Sequence, residues 1–142
     1  MPVAGVSPDR IADTFNDARD GARRHNALDI LAPRGTVVLA AADGVVLRIG
    51  TNALGGNVVW IADAARRFAF YYAHLEGWSR GLHEGQTVTR GDVLGYVGTS
   101  GNASKHEPHL HFQLLRISDA RHYASGPPLN PLPFFTTQGA TR

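Results

Sequence analysis

The sequence contains no cysteine. That excludes disulfide scaffolding and any metal site built on thiolates, and leaves the compartment open. Long apolar runs are missing as well. A membrane-spanning helix needs about 18–20 apolar residues in succession, and the most apolar segment, Val37 to Leu47, is broken by Asp43 and Gly44. The start, Met1-Pro2-Val3-Ala4-Gly5, has no basic residues followed by an apolar core, so no secretory leader is visible. Lysine occurs once, as Lys105, and the basic doublets are Arg23-Arg24 and Arg66-Arg67. Net charge is +2 with histidine neutral. Such a domain can approach anionic polymers, but no basic stripe is interleaved with aromatics, which argues against nucleic acid as a partner. Helical periodicity is scarce too. Asp9 to Phe15, or a turn near Leu75 to Arg80, is the only candidate helix.

What remains points to β structure. The 142 residues, 43% hydrophobic and 18% charged, suit one compact domain over 1–142, with a core over about 10–135. Sixteen glycines and eight prolines punctuate short β-branched and aromatic runs. Thr36 to Ala40 reads as a strand, Asp43-Gly44 as a turn, and Val45 to Ile49 as the returning strand. Asn57 to Ala62 and Phe68 to His74 read as a second pair. Gln86 to Val88, Val93 to Val97 and His109 to Leu115 follow. The pattern predicts an all-β fold: two packed antiparallel sheets or a partly open barrel-sandwich, with the site in a groove on one sheet. A short echo between Gly35–Gly44 and Gly85–Gly95 suggests two hairpins packed face to face. The segment Ser125 to Phe135 is proline-rich and apolar. It is expected to wrap the domain and bury Phe134 and Phe135, with a frayed end from Thr136.

Two clusters carry chemistry. His25 and Asp29 stand four residues apart, and His109-Leu110-His111 forms a His-x-His strand. Side chains two apart on a strand share a face. His109, His111 and Gln113 should therefore line one face while Leu110, Phe112 and Leu114 enter the core. Two imidazoles and a carboxylate form a known catalytic zinc set, with one position left open. His25, Asp29 and one of the two strand histidines would supply it. Each piece also has an ordinary reading: a surface histidine with a turn carboxylate, or a half-exposed strand with solvated imidazoles. His74, after an aromatic strand, reads by itself as a hydrogen-bonded core or rim histidine. His83 and His122 read as surface positions.

Taken in order, HxxxD at 25–29, Tyr72-Ala73-His74-Leu75, the glycine-rich GQTVTRGDVLGYVGTSG at 85–101 and Pro108-His109-Leu110-His111-Phe112 resemble the M23 metallopeptidases of the lysostaphin and LytM type. The likeness runs nearly end to end, from FNDARDGARRHNALDI at 15–30 to PLNPLPFF at 128–135. It implies a zinc endopeptidase acting on peptidoglycan stem peptides or cross-bridges, in an extracytoplasmic location. The sequence leaves the oligomeric state open, with a monomer as the expectation. The resemblance implies one Zn2+ held by His25, Asp29 and His111, with His74 and His109 as catalytic histidines that do not bind it. His109 is then the expected general base, and His74 orients the water or hydrogen-bonds the oxyanion; Glu76 and Glu107 rank below His109. Two departures stand out. The family's HxGxD glycine is Ala27 here, which would be harmful if that position needs φ > 0. The loop from Ser100 to Pro108 also brings Lys105, His106 and Glu107 near the cleft, as substrate selectors or a solvated loop. The alternatives are a catalytically inactive module that regulates other wall hydrolases, which the complete ligand set disfavours, and a lipoyl-type carrier, which Lys105 is poorly placed to serve.

Overall fold

Alternating apolar residues on β-branched and aromatic runs build the strands. The computed structural model describes residues 1–16 and 26–135. Its strands are β1 (Leu28–Leu31), β2 (Val37–Leu39), β3 (Gly44–Asn52), β4 (Gly56–Asp63), β5 (Phe68–Trp78), β6 (Thr87–Val88), β7 (Val93–Val97), β8 (His109–Arg116) and β9 (Pro128–Leu129). All pair antiparallel within one hydrogen-bonded network, ordered β1-β8-β5-β4-β3-β6, which does not close into a barrel. The fold is all-β as expected, and β5 joins its two layers. It pairs with β8 as far as Ala73 and with β7 from Leu75 onward, while β2 lies on β7.

The core lies between these layers. Leu28, Ile30, Ile61, Tyr72, Leu110 and Phe112 from one side meet Val38, Leu94 and Val97 from the other, all essentially buried. Burial of each large aliphatic or aromatic side chain contributes about 1.5–3 kcal/mol. Tyr72 and Phe112 meet edge to face at 5.1 Å. The Tyr72 hydroxyl accepts a hydrogen bond from the Ala41 amide at 2.9 Å, so neither polar group is stranded. Val3 bridges to Val38 at one end of the chain and Phe135 enters the core at the other, while Phe134 is half-buried.

Several expectations need correction. Asp43-Gly44 does not make a β2–β3 hairpin: β2 pairs with β7, and β3 pairs with β4 and β6. The two echoing segments are therefore not stacked face to face but hydrogen-bonded edge to edge, with Val38 opposite Gly95 and Gly44 opposite Val88. Asp43 caps the crossing through its carboxylate, which accepts from the Arg90 amide at 2.8 Å. Asp9 to Phe15 holds only a 3-10 turn at Pro8–Arg10, because Ile11 leaves it in an extended conformation. No helix spans Leu75 to Arg80: β5 runs on to Trp78 against β7, and a turn follows at its end, where the Leu82 amide donates to the Ser79 carbonyl at 3.1 Å. The expected fraying from Thr136 lies outside the described residues.

Candidate active site

The site forms where β1, β8 and the middle of β5 lie side by side. Asp29 on β1 pairs in register with His111 on β8, and His111 pairs with Ala73 on β5. One step along, Leu31 pairs with His109. Alternation on β8 works as expected: Leu110, Phe112 and Leu114 are buried in the core, while His109, His111 and Gln113 line an open groove. Asp29 emerges on the same face between buried Leu28 and Ile30.

His74 reaches the groove by another route. On β4, Asn57 and Val59 are two residues apart, yet they pair with Leu75 and Tyr72, which are three apart. β5 thus carries one extra residue, a bulge at Ala73-His74. His74 has φ 63, a left-handed conformation that is uncommon for a residue with a Cβ. Without the bulge His74 would share the core face of Tyr72. With it, His74 points into the groove and Leu75 returns to the core.

Four side chains therefore converge. Asp29 Oδ1 lies 3.2 Å from His111 Nδ1 and 3.6 Å from His109 Nε2. The His74 ring centroid is 4.9 Å from that of His109 and 5.6 Å from that of His111. His74 Nδ1 is 2.7 Å from the Ser100 carbonyl oxygen, and His109 Nδ1 is 3.0 Å from that of Glu107. A carbonyl oxygen only accepts, so each Nδ1 carries the proton and donates. In the neutral rings this leaves Nε2 as an acceptor. Burial pushes the His74 pKa down to about 4, outweighing the upward pull of the Ser100 carbonyl, and the two neighbouring histidines lower it further. His74 is therefore neutral in neutral solution.

Among the described residues no group of three or more His, Asp or Glu side chains is arranged to hold a metal ion, and His25, the expected third ligand, lies outside them. The donor pair that is described fits zinc. Two ligands of a tetrahedral zinc at about 2.0–2.1 Å stand about 3.3 Å apart, close to the 3.2 Å between Asp29 Oδ1 and His111 Nδ1.

The groove encloses about 710 Å3. Beyond the histidines its floor is Tyr71 and Trp60, whose rings meet at 4.4 Å. Neither was expected in the site from the sequence. The signal was available: Trp60 pairs with Tyr71, and Tyr71 with Gln113, so period-two alternation places all three on one face. Thr14 was also missed. Its hydroxyl accepts from the Asp29 amide at 3.3 Å and donates to the Ala27 carbonyl at 3.4 Å, covering the outer edge of β1. Glu76 is turned away, paired with Arg34 at 2.6 Å. Lys105, His106 and Glu107 are exposed, and of these Glu107 lines the groove. His83 and His122 are exposed, as expected.

Fold and groove together describe a peptidase domain, and the family is shown directly: residues 23–131 match the model of Peptidase family M23, so the chain belongs to that family. It is 36% identical over 121 residues to an L-Ala–D-Glu endopeptidase of Bacillus subtilis (strain 168), aligning over 80% of this chain and 37% of that protein. The chain thus spans little more than a third of that relative's length. Among solved structures it resembles the catalytic domain of the antimicrobial peptidase lysostaphin from Staphylococcus simulans, with a TM-score of 0.69, 26% identity and 82% of each chain covered. It also resembles a zinc-containing peptidase from Vibrio cholerae, with a TM-score of 0.70, 26% identity, and 87% of this chain and 36% of that one covered.

Proposed function

We propose that this chain is a zinc-dependent endopeptidase that hydrolyses peptide bonds in peptidoglycan stem peptides or cross-bridges. The observation that carries the reading is the convergence of Asp29, His111, His109 and His74 on one groove of an M23 domain. The wall substrate is supported by the B. subtilis endopeptidase, and zinc by the V. cholerae structure. An extracytoplasmic site of action follows from that substrate. The chain would act as a monomer, since the groove is built within one copy.

Asp29 Oδ1 and His111 Nδ1 would hold the ion together with His25. When bound, zinc supplies Lewis acidity to the attacking water and to the scissile carbonyl. His109 would act as general base, because its Nε2 faces Asp29 while Nδ1–H is anchored on the Glu107 carbonyl. The proton taken from the water would later pass to the leaving amine. His74 would orient the water by accepting from it at Nε2. A neutral ring with Nδ1–H already committed to Ser100 has no second N–H to offer an oxyanion. Tyr71 and Trp60 would bed the substrate chain along the groove.

The test is incubation of the zinc-loaded protein with purified sacculi of different cross-link types, with mass spectrometry of the released peptides and a chelated control. Zinc-dependent release is expected, and the new termini name the bond. Zinc-loaded protein that releases nothing from any sacculus would refute the reading in favour of a regulatory module.

A further inference from the structure

His74 keeps a left-handed backbone and a committed ring nitrogen, and both need outside support. Its own amide donates to the Gly55 carbonyl at 2.7 Å, which ties the bulge to the turn between β3 and β4. Its ring donates to the Ser100 carbonyl at 2.7 Å. What holds that carbonyl in place is the Ser100 side chain. Ser100 Oγ donates to the Leu75 carbonyl at 2.7 Å and accepts from the Asn57 amide at 3.0 Å. The hydroxyl therefore joins the residue after the bulge to the start of β4.

The backbones around it fit tightly. A Cβ on Gly56, at φ +68, would stand 2.4 Å from the Gly101 nitrogen and from Ser100. A Cβ on Gly101, at φ +72, would stand 2.4 Å from the Gly56 nitrogen and the Leu54 carbonyl oxygen. The Asn102 amide closes the contact on the Leu54 carbonyl at 3.0 Å. The Gly55-Gly56 pair and the Ser100-Gly101 turn thus interlock beside His74, with no room for a side chain at Gly56 or Gly101.

We propose that Ser100 is the positioning residue of this site: its hydroxyl locks the Ser100-Gly101 turn onto the bulge, so that the Ser100 carbonyl fixes His74 with Nδ1 protonated and Nε2 open to the groove. The role in turnover rests on the peptidase reading above; the fixed tautomer does not. Among the described residues the hydrogen bonds of Ser100 run to Asn57, Leu75 and His74 and to neither Asp29 nor His111, so it acts through His74. An orienting partner of this kind is worth on the order of 10–100-fold in activity.

The experiment compares the zinc-loaded wild type with Ser100→Ala and Ser100→Thr, following the His74 ring nitrogens by 15N NMR, zinc content, and kcat and KM separately. In the wild type His74 should show a protonated Nδ1 and an unprotonated Nε2. Ser100→Ala should lose the single tautomer and lower kcat about 10–100-fold, with KM and zinc content unchanged. Ser100→Thr restores the hydroxyl and should recover both. A wild-type His74 protonated on Nε2 overturns the proposal even if no variant folds. So does Ser100→Ala with wild-type tautomer and kcat. If the wild type cleaves no sacculus, the NMR comparison still decides: a tautomer lost in Ser100→Ala and restored in Ser100→Thr supports the positioning role while the peptidase reading fails.

Discussion

His109 and His74 face each other across the groove at 4.9 Å, yet they are held in different ways. His109 sits on the regular strand β8, paired to Leu31 and bridged to Gly98, and its direction follows from strand alternation. His74 sits on a bulge in β5 and needs an inserted residue, a positive φ and an interlocked pair of glycine turns to face the same way. Alternation places a side chain at no conformational cost. A left-handed residue with a Cβ costs about 1–2 kcal/mol, and the surrounding hydrogen bonds must offset it. The extra freedom is useful: the bulge turns His74 into the groove on the same side of β5 as Tyr71, which a regular strand forbids for residues three apart.

The largest effect should come from His111, which lies on the regular strand and is a proposed ligand. His111→Ala should lose bound zinc and reduce peptide release to the level of the chelated control, read by metal analysis and mass spectrometry. Retained zinc stoichiometry would remove His111 from the ligand set. His109→Ala, two residues away on the same face, should separate the two properties. Turnover should fall about 10²–10⁴-fold while zinc stays bound. Full turnover with zinc bound would pass the role of base to His74 or Glu107, which also line the groove.

Phe112 follows His111 on β8 and faces the opposite way, fully buried against Phe70, Tyr72 and Phe135. Phe112→Ala should lower stability by about 3–5 kcal/mol, measured by chemical denaturation, and leave zinc content per folded molecule unchanged. A loss of zinc from the folded variant would show that β8 does not keep its two faces independent.

The regular strand was legible in the sequence and the bulge was not. On β8 the order His109, His111, Gln113 against Leu110, Phe112, Leu114 specifies both the site face and the core face. In Tyr71-Tyr72-Ala73-His74-Leu75 nothing local marks where the register slips. The bulge arises from Gly55-Gly56 and Ser100-Gly101, which lie far away in sequence and meet only in the fold. β1 was overlooked because four residues, Leu-Asp-Ile-Leu, are too few to show alternation, although buried Leu28 and Ile30 flank Asp29 as a strand requires. The Asp43-Gly44 turn misled for a related reason. A turn dipeptide fixes a local reversal, and tertiary pairing with β7 and β6 decides which strands become neighbours.

Ala27 offers the smallest and sharpest test of how conformation is distributed near the ligands. It stands where the family motif has glycine, and a glycine there could have signalled a left-handed residue. Ala27 is fully buried and is not among the described non-glycine residues with positive φ, whereas its neighbour Asn26 has φ 56. Asparagine tolerates that conformation better than most residues, so the turn into β1 is made one position earlier and the Ala27 methyl is unstrained. Ala27→Gly should then gain nothing in activity. It should lower stability by about 1–2 kcal/mol, through the lost buried methyl and the freer unfolded chain, read as a lower denaturation midpoint. A variant more stable than the wild type, or several-fold more active, would mean that the methyl strains the approach to Asp29 and that this domain carries at Ala27 the kind of backbone cost it carries openly at His74.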